Sequence, residues 1–383
     1  MKKNKAYKFR LYPNNSQKII LGKNFGCCRF VFNYFLNMSI TEYETNKKTL
    51  QYKDYAEYLN ELKIKNEFLY EVDSISLQQE LRHLDTAFKN FFRFNMGYPK
   101  YKRKADHNDS YSTVNVNNNI KIIDDKHIKL PKLGIVKAKI HREIPLDYIL
   151  KSATLSKTPA GTYYVSLLYE YEDCNTNYKI DDNKIVGLDY SNHNLFITGD
   201  NLNVNSEFLR LFRNGEEKLH KLQSTLSRRQ KPNHKEEIAG SKRYEKQRIK
   251  VAKYHEYLKN KRNDYYNKLT NEITNRYDVV VIEDLDMQDM AAEYKRNSKV
   301  VYDNSWFLFT SLLETKLENK GKRLIKVDKY YPSSKLCNVC GYKNELLTIE
   351  TRQWTCPKCN TLHNRDINAS INLKKEGLRI LNS

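Results

Sequence analysis

No stretch of the 383-residue sequence approaches the about 18 consecutive apolar residues that a membrane-crossing helix requires. The first ten residues, Met1-Lys2-Lys3-Asn4-Lys5-Ala6-Tyr7-Lys8-Phe9-Arg10, keep interposing charge, so they form no apolar leader and export is not expected. No internal repeat is visible, which argues against a solenoid. Acid is the scarcer charge: 46 Asp and Glu stand against 67 Lys and Arg, a formal net charge of +21. A compact chain so charged repels itself, so the excess does not serve folding and is best explained by a polyanionic partner. With aromatic residues at 12%, nucleic acid is favoured over membrane, the alternative being a merely soluble basic protein. Hydrophobic residues at 39% allow ordinary cores, and the length allows two or three domains.

A disulfide framework is also lacking. The seven cysteines are an odd number, and four of them fall in two C-x-x-C units, a pattern of metal binding rather than bridging. The protein is therefore expected to stay inside the cell. Cys27 and Cys28 lie in an apolar helical stretch and read as packing residues, while Cys174 carries no signal.

Along the chain, residues 5–12 alternate Ala6, Tyr7, Phe9 and Leu11 with Lys and Arg and read as a strand that stops at Pro13. Asn15 or Ser16 then caps a helix carrying Ile20, Leu21, Phe25, Cys28, Phe32, Phe35 and Leu36. A second helix is expected over 54–69. A third follows where Leu77, Leu81, Leu84, Phe88 and Phe91 recur at helical spacing, giving a helical module over 16–96. Next, Tyr98, Lys100, Tyr101, Lys102, Arg103 and Lys104 gather in one segment. Cations there suit phosphates and the tyrosines suit stacking on bases or sugars; a solvated charged loop is the alternative. Short runs at 120–123, 127–130, 134–139, 153–157 and 163–169, punctuated by proline, suggest strands of a small β-barrel over 1–15 and 97–175, into which the helical module is inserted. Residues 173–184 read as a polar linker. Beyond it, apolar strands at 185–189, 196–198, 279–282 and 324–327 alternate with helices at 207–230, 241–276, 304–319 and 366–376, the last expected to end at Gly377.

Two groups of residues carry chemistry. Cys337-x-x-Cys340 and Cys356-x-x-Cys359 enclose 15 residues, the spacing of a four-cysteine zinc ribbon over 333–359, with Gly341 and Pro357 supplying turns. Four thiolates complete a tetrahedral Zn²⁺ and leave no open position, so this zinc is structural. The second group is acidic: Asp189 and Glu283 each terminate an apolar strand, and Asp366 opens a helix after His363-Asn364-Arg365. Strand-end acids can meet at one sheet edge, and their hard oxygens suit Mg²⁺. Two such ions about 3.5–4 Å apart activate water and stabilise the leaving oxygen in phosphodiester hydrolysis. Taken singly, each acid reads equally as a cap, a turn or a solvated charge, and Asp284 and Asp286 compete with Glu283.

In combination these features resemble the TnpB family, RNA-guided nucleases of bacterial and archaeal insertion sequences related to type V CRISPR effectors. The resemblance rests on Lys8-Phe9-Arg10-Leu11-Tyr12-Pro13, Leu77-Gln78-Gln79-Glu80-Leu81-Arg82 with Phe91-Phe92, and Gly97-Tyr98-Pro99-Lys100-Tyr101-Lys102. It continues through Leu130-Pro131-Lys132-Leu133-Gly134, Val281-Ile282-Glu283-Asp284-Leu285, Tyr331-Pro332-Ser333-Ser334-Lys335-Leu336-Cys337 and His363-Asn364-Arg365-Asp366-Ile367-Asn368-Ala369. It implies a multidomain α+β chain: a wedge-like barrel with an inserted helical recognition module, then an RNase H-like (RuvC) nuclease over 180–332 and 360–383, interrupted by the zinc ribbon. It carries Asp189, Glu283 and Asp366 into the RuvC metal-binding triad. It also implies a guide RNA from the transposon end, target double-stranded DNA, and bacterial or archaeal cytoplasm with nucleoid association. One protein per RNA is expected, since no apolar surface demands a partner subunit. Tyr52 and Gln78 match positions resembling the family's flanking-motif contacts, while Ser74 and Val116 replace a basic and a hydroxyl side chain. The family's first RuvC motif reads Asp-x-Gly, but here it is Asp189-Tyr190-Ser191, and Ser191 lacks glycine's freedom at positive φ, so the local backbone is expected to differ. Two other functions fit the same composition: an RNA-guided DNA-binding repressor without cleavage, and a DDE-type transposase.

Overall fold

The computed structural model describes residues 2–94, 96–172, 179–191, 194–200, 202, 206–232, 240–293, 305–348 and 350–383. Half of the polar linker, Cys174 included, lies outside them. The chain folds as two compact units, residues 1–173 and 174–383.

The first unit is built on strand β1 (Lys2–Tyr12), which buries Tyr7, Phe9 and Leu11 and exposes Lys8 and Arg10, the two-residue period of a half-buried strand. Six strands join it: β2 (Asp109–Val114), β3 (Lys121–Ile122), β4 (His127–Leu130), β5 (Gly134–Lys139), β6 (Ile149–Lys157) and β7 (Tyr163–Glu172). Among the described residues they form one antiparallel sheet of order β2-β6-β7-β1-β5-β4-β3. The barrel expected from the sequence is not closed: no ladder joins β2 to β3 among the described residues. The outer flank of β2 packs instead against the helices that follow β1.

Those helices are α1 (Asn15–Asn46), α2 (Tyr52–Lys65) and α3 (Ser74–Phe94). The α1 cap falls one residue before the expected one: Asn14 Oδ1 accepts from the Gln17 N–H (2.8 Å), and Gln17 Oε1 accepts from the Asn14 N–H (3.0 Å). The Gln17 amide also donates to the carbonyls of Leu133 and Ile135, tying the helix start to the β4–β5 turn. Leu77, Leu81, Leu84 and Phe88 line the buried face of α3 and share one core with the sheet.

In the second unit, β8 (Ile185–Ser191), β9 (Leu195–Ile197), β10 (Val279–Glu283) and β11 (Arg323–Val327) form a sheet of order β11-β10-β8-β9 among the described residues. β8, β10 and β11 are parallel and β9 is antiparallel. Among the described residues, the remaining α-helices are α4 (Ser206–Ser227), α5 (Lys242–Arg276), α6 (Met287–Glu293), α7 (Trp306–Asn319) and α8 (Arg365–Leu381). Val186, Leu188, Val280 and Ile282 pack one sheet face against Tyr266, Leu269 and Ile273 of α5 and Phe309 and Leu313 of α7. The other face, Ile185, Val279 and Val281, packs against Leu373 of α8. The chain between α7 and α8 also forms a hairpin of β12 (Gln353–Thr355) and β13 (Leu362–Asn364).

Two glycines set how closely α8 lies on this sheet. A Cβ on Gly187 of β8 would stand 2.0 Å from the Ser370 carbonyl oxygen, and one on Gly377 would stand 2.2 Å from Val281 Cγ2. Gly377 therefore does not end the helix, as the sequence suggests. It lies inside α8, where the missing side chain admits Val281.

Candidate active site and metal centre

Strand pairing brings two of the acids together. β8 and β10 are in parallel register with Leu188 opposite Ile282, so the next residue of each, Asp189 and Glu283, stands at the same sheet edge. Alternation then fixes their face: Ile185 and Gly187, like Val279 and Val281, lie toward α8, and Asp189 and Glu283 continue that set. At the start of α8, Asn364 Oδ1 accepts from the N–H groups of Asp366 (3.1 Å) and Ile367 (3.2 Å) and so fixes the first turn.

Asp189 senses the other two acids. Burial, and then the charges of Glu283 and Asp366, hold the Asp189 pKa well above the usual range, against the pull of Arg365 and Arg352. Burial also raises Glu283, opposed by the hydroxyl of buried Ser333, which donates to Glu283 Oε1. Arg352 Nη1 lies 3.3 Å from Asp366 Oδ2. The acids are not drawn into a closed cluster, however. Among the described residues, only the four cysteines form a group whose ligand atoms all lie within 4.8 Å of one another. The carboxylate oxygens of Asp189, Glu283 and Asp366 still form a donor set whose chemistry fits a hard divalent cation.

A carboxyl whose pKa is higher in the folded chain than in the unfolded one destabilises the fold, increasingly so as pH rises from about 4 through the folded value. Asp189→Asn is therefore expected to raise the melting temperature of zinc-loaded, magnesium-free protein at neutral pH, with the gain fading toward about pH 4. Thermal melts across that range check this, and equal melting temperatures at neutral pH would contradict it.

The competing acids separate by position. Asp284 is exposed on the opposite side of the strand end, its N–H bonded to the Val327 carbonyl (2.9 Å). Asp286 is exposed and accepts from the Asp289 N–H (3.2 Å) at the start of α6. Ser191 lies in β8 opposite Leu195, outside the positive-φ region, and its hydroxyl accepts from the Asn194 N–H (3.3 Å). Among the described residues of this hairpin, Leu195 takes a positive φ (67°).

The thiolate cluster is closed. Cys337 and Cys359 Sγ atoms are 3.6 Å apart, as are those of Cys340 and Cys356. A tetrahedron with Zn–S bonds of about 2.3 Å has edges of about 3.8 Å, so zinc fits. The two knuckles are alike: the Gly341 N–H bonds to the Cys337 carbonyl (2.9 Å) and the Asn360 N–H to the Cys356 carbonyl (2.8 Å), both at positive φ. Pro357 lies in the turn of the second knuckle, as expected, and Asn360 takes its positive φ. The Thr361 hydroxyl, 3.2 Å from Cys359 Sγ, lowers the Cys359 pKa to about 6 and favours the thiolate. Stripping the metal with a strong chelator is expected to open residues 333–364 to limited proteolysis while leaving residues 2–94 resistant. Equal resistance with and without zinc would contradict a structural role.

In the first unit, the basic segment divides. The Tyr98 ring packs edge-on against Phe88 (5.8 Å) and Phe91 (5.1 Å), and the Tyr101 hydroxyl donates to Asn37 Oδ1 (3.0 Å). Lys102 pairs with buried Glu80, lies 4.2 Å over the Phe32 ring, and has its backbone clasped by the Asn33 amide (2.8 and 2.9 Å). Lys100, Arg103 and Lys104 face solvent. Tyr52 is half-buried and Gln78 exposed. Arg82, one turn beyond Gln78 on α3, stacks its guanidinium 4.2 Å over the Tyr52 ring, a partner not singled out by sequence reasoning. Ser74 accepts from Lys63 Nζ (2.7 Å), and Val116 is exposed.

Three family descriptions match the chain: "Helix-turn-helix domain" over residues 1–48, "Probable transposase" over 166–293, and "Cas12f1-like, TNB domain" over 306–373. A Streptomyces pristinaespiralis protein named "Putative RNA-guided DNA endonuclease" is 32% identical over 380 residues, covering 98% of this chain and 89% of the relative. The chain belongs to the TnpB family. Escherichia coli K12 "Putative RNA-guided DNA endonuclease InsQ" is 28% identical, covering 100% of this chain and 94% of its own. The protein of the structure titled "Cryo-EM structure of the Cas12f1-sgRNA-target DNA complex" shares the fold, with a TM-score of 0.55 at 13% identity, over 97% of this chain and 99% of that one. In this TnpB-family chain, the range 166–293 contains Asp189 and Glu283, and 306–373 contains the four thiols and Asp366. The range 1–48 contains β1 and the single long helix α1. No helix among the described residues is long and apolar enough to cross a membrane.

Proposed function

We propose that this TnpB-family chain is a transposon-borne, RNA-guided DNA endonuclease, and that Asp189, Glu283 and Asp366 are its catalytic acids. The observation that carries this reading is the convergence of those acids, from two parallel strand ends and one helix start, on a single edge where their charges interact. They would hold Mg²⁺, two ions in the fullest form, whose chemistry is to lower the pKa of water and neutralise charge on the scissile phosphate. Ser333 orients Glu283, Asn364 fixes the turn of Asp366, and Arg352 offsets the Asp366 charge. The zinc knuckle has no open coordination position and acts as scaffold.

In this reading, residues 1–15 and 97–175 act as the wedge and 16–96 as the recognition module. Residues 180–332 and 360–383 form the RuvC-like nuclease, and 333–359 the ribbon. Guide RNA from the transposon end supplies sequence by base pairing, while protein reads the flanking motif. Tyr52 and Gln78, with Arg82, form the motif-reading surface, and Lys100, Arg103 and Lys104 offer phosphate contacts. Tyr98, Tyr101 and Lys102 support that segment through their contacts with α1 and α3. One protein is assigned per RNA, acting in the cytoplasm at the nucleoid.

The test is cleavage by protein co-expressed with RNA from its own locus, given linear duplexes matched or unmatched to that RNA, with Mg²⁺ or Ca²⁺. Breaks confined to the matched duplex with Mg²⁺ are expected. Retention of matched duplex without breaks would replace the nuclease with a guided repressor, and strand-transfer products would point to a DDE-type transposase.

A further inference from the structure

The thiolate knuckle and the helix that carries Asp366 are joined by more than chain connectivity. His363 is buried on β13, with Nε2 3.1 Å from Cys337 Sγ. Its ring leans on Trp354 (centroids 4.8 Å apart), and its backbone is paired with the same residue across the hairpin. β12 leads directly into Cys356, and β13 ends at Asn364, the residue that caps the Asp366 turn. From the other side, Asn368 and Asn372 of α8 each donate to the Leu336 carbonyl (2.7 Å), and Asn372 also donates to that of Ser333 (2.8 Å). The Asn338 N–H returns a bond to Asn368 Oδ1 (2.9 Å). The segment that bears Cys337 and Ser333 is thus clasped to α8 along two turns.

We infer that His363 is a positioning residue whose Nε2–H donates to the Cys337 thiolate and fixes the zinc knuckle against the turn that carries Asp366. A zinc held by four thiolates carries net negative charge, and a donor aimed at one sulfur stabilises it and sets its orientation. Either a neutral ring protonated on Nε2 or a cationic ring presents that donor. The inference goes beyond the proposed nuclease activity, and its test does not read cleavage.

The full-length, zinc-loaded protein is compared with His363→Gln, which keeps a side-chain N–H donor, and His363→Phe, which keeps a ring against Trp354 but has no donor. Zinc transfer to a chromophoric chelator is expected to be about 10-fold or more faster for His363→Phe and within about twofold of the parent for His363→Gln. With zinc still bound, hydrogen exchange of the Asp366 and Ile367 amides is expected to rise in His363→Phe alone. Parental zinc transfer in His363→Phe would overturn the inference. So would equally fast loss from both variants, which would make ring shape rather than donation the determinant. Faster zinc transfer with unchanged exchange at Asp366 would overturn the link to the acid-bearing turn.

Discussion

Asp189→Ala is expected to lower guided DNA cleavage by about 10³-fold or more, while leaving guide-RNA binding within about twofold. Asp189 is the acid on which the others act: its carboxyl is raised by burial first and then by both neighbouring charges. Without it, Glu283 and Asp366 are left as separate anions, too few oxygens to hold and orient a hard cation against phosphate. Because the same carboxyl destabilises the magnesium-free fold, its removal should lower activity and raise the melting temperature together. A residue needed only for folding would lower both. Parallel cleavage, RNA-binding and melting measurements on one preparation make the comparison, and parental cleavage by Asp189→Ala would contradict the assignment.

Gly187→Ala should give the largest loss of stability among single-methyl additions to the second unit. The new Cβ would meet the Ser370 carbonyl at 2.0 Å and the Lys374 backbone nitrogen at 2.8 Å, and neither can rotate away. Relief requires α8 to retreat, which withdraws Leu373 from the core it shares with Ile185, Val279 and Val281 and carries Asp366 with it. A cost of about 3 kcal/mol is expected, lowering the melting temperature by roughly 6–12 °C. Folded Gly187→Ala protein should also cut more slowly. Gly377→Ala should cost less, because its Cβ meets Val281 Cγ2, a side-chain methyl that can shift. Equal melting temperatures for Gly187→Ala and the parent would show that α8 does not rest on β8 in this way.

How much could be read in advance followed how local the cause was. β4 and β5 match their expected bounds because alternation and flanking turns are properties of the segment itself. β2 escaped notice because Asp109–Val114 is rich in hydroxyls: Tyr111 and Thr113 are buried by neighbours that the segment does not reveal. Gly377 looked like a helix terminator because its role depends on Val281, nearly a hundred residues away. The positions of Asp189, Glu283 and Asp366 at strand ends and a helix start were legible, but their meeting depended on parallel register between β8 and β10 and on where α8 lies. The basic segment shows the same limit. Nothing local distinguishes Lys102 from Lys100, and the signal was the acid Glu80 set beside the apolar stripe of α3, where it is buried and awaits a cation.

The most direct test of an RNA-guided nuclease is cleavage of a plasmid library whose guide-matched target lies beside randomised flanks, by protein co-expressed with RNA from its own locus. With Mg²⁺, depletion of particular flanks through double-strand breaks is predicted, and Asp366→Ala should abolish it. Selective retention of particular flanks with no breaks would contradict the account, leaving a chain that finds its target and does not cut.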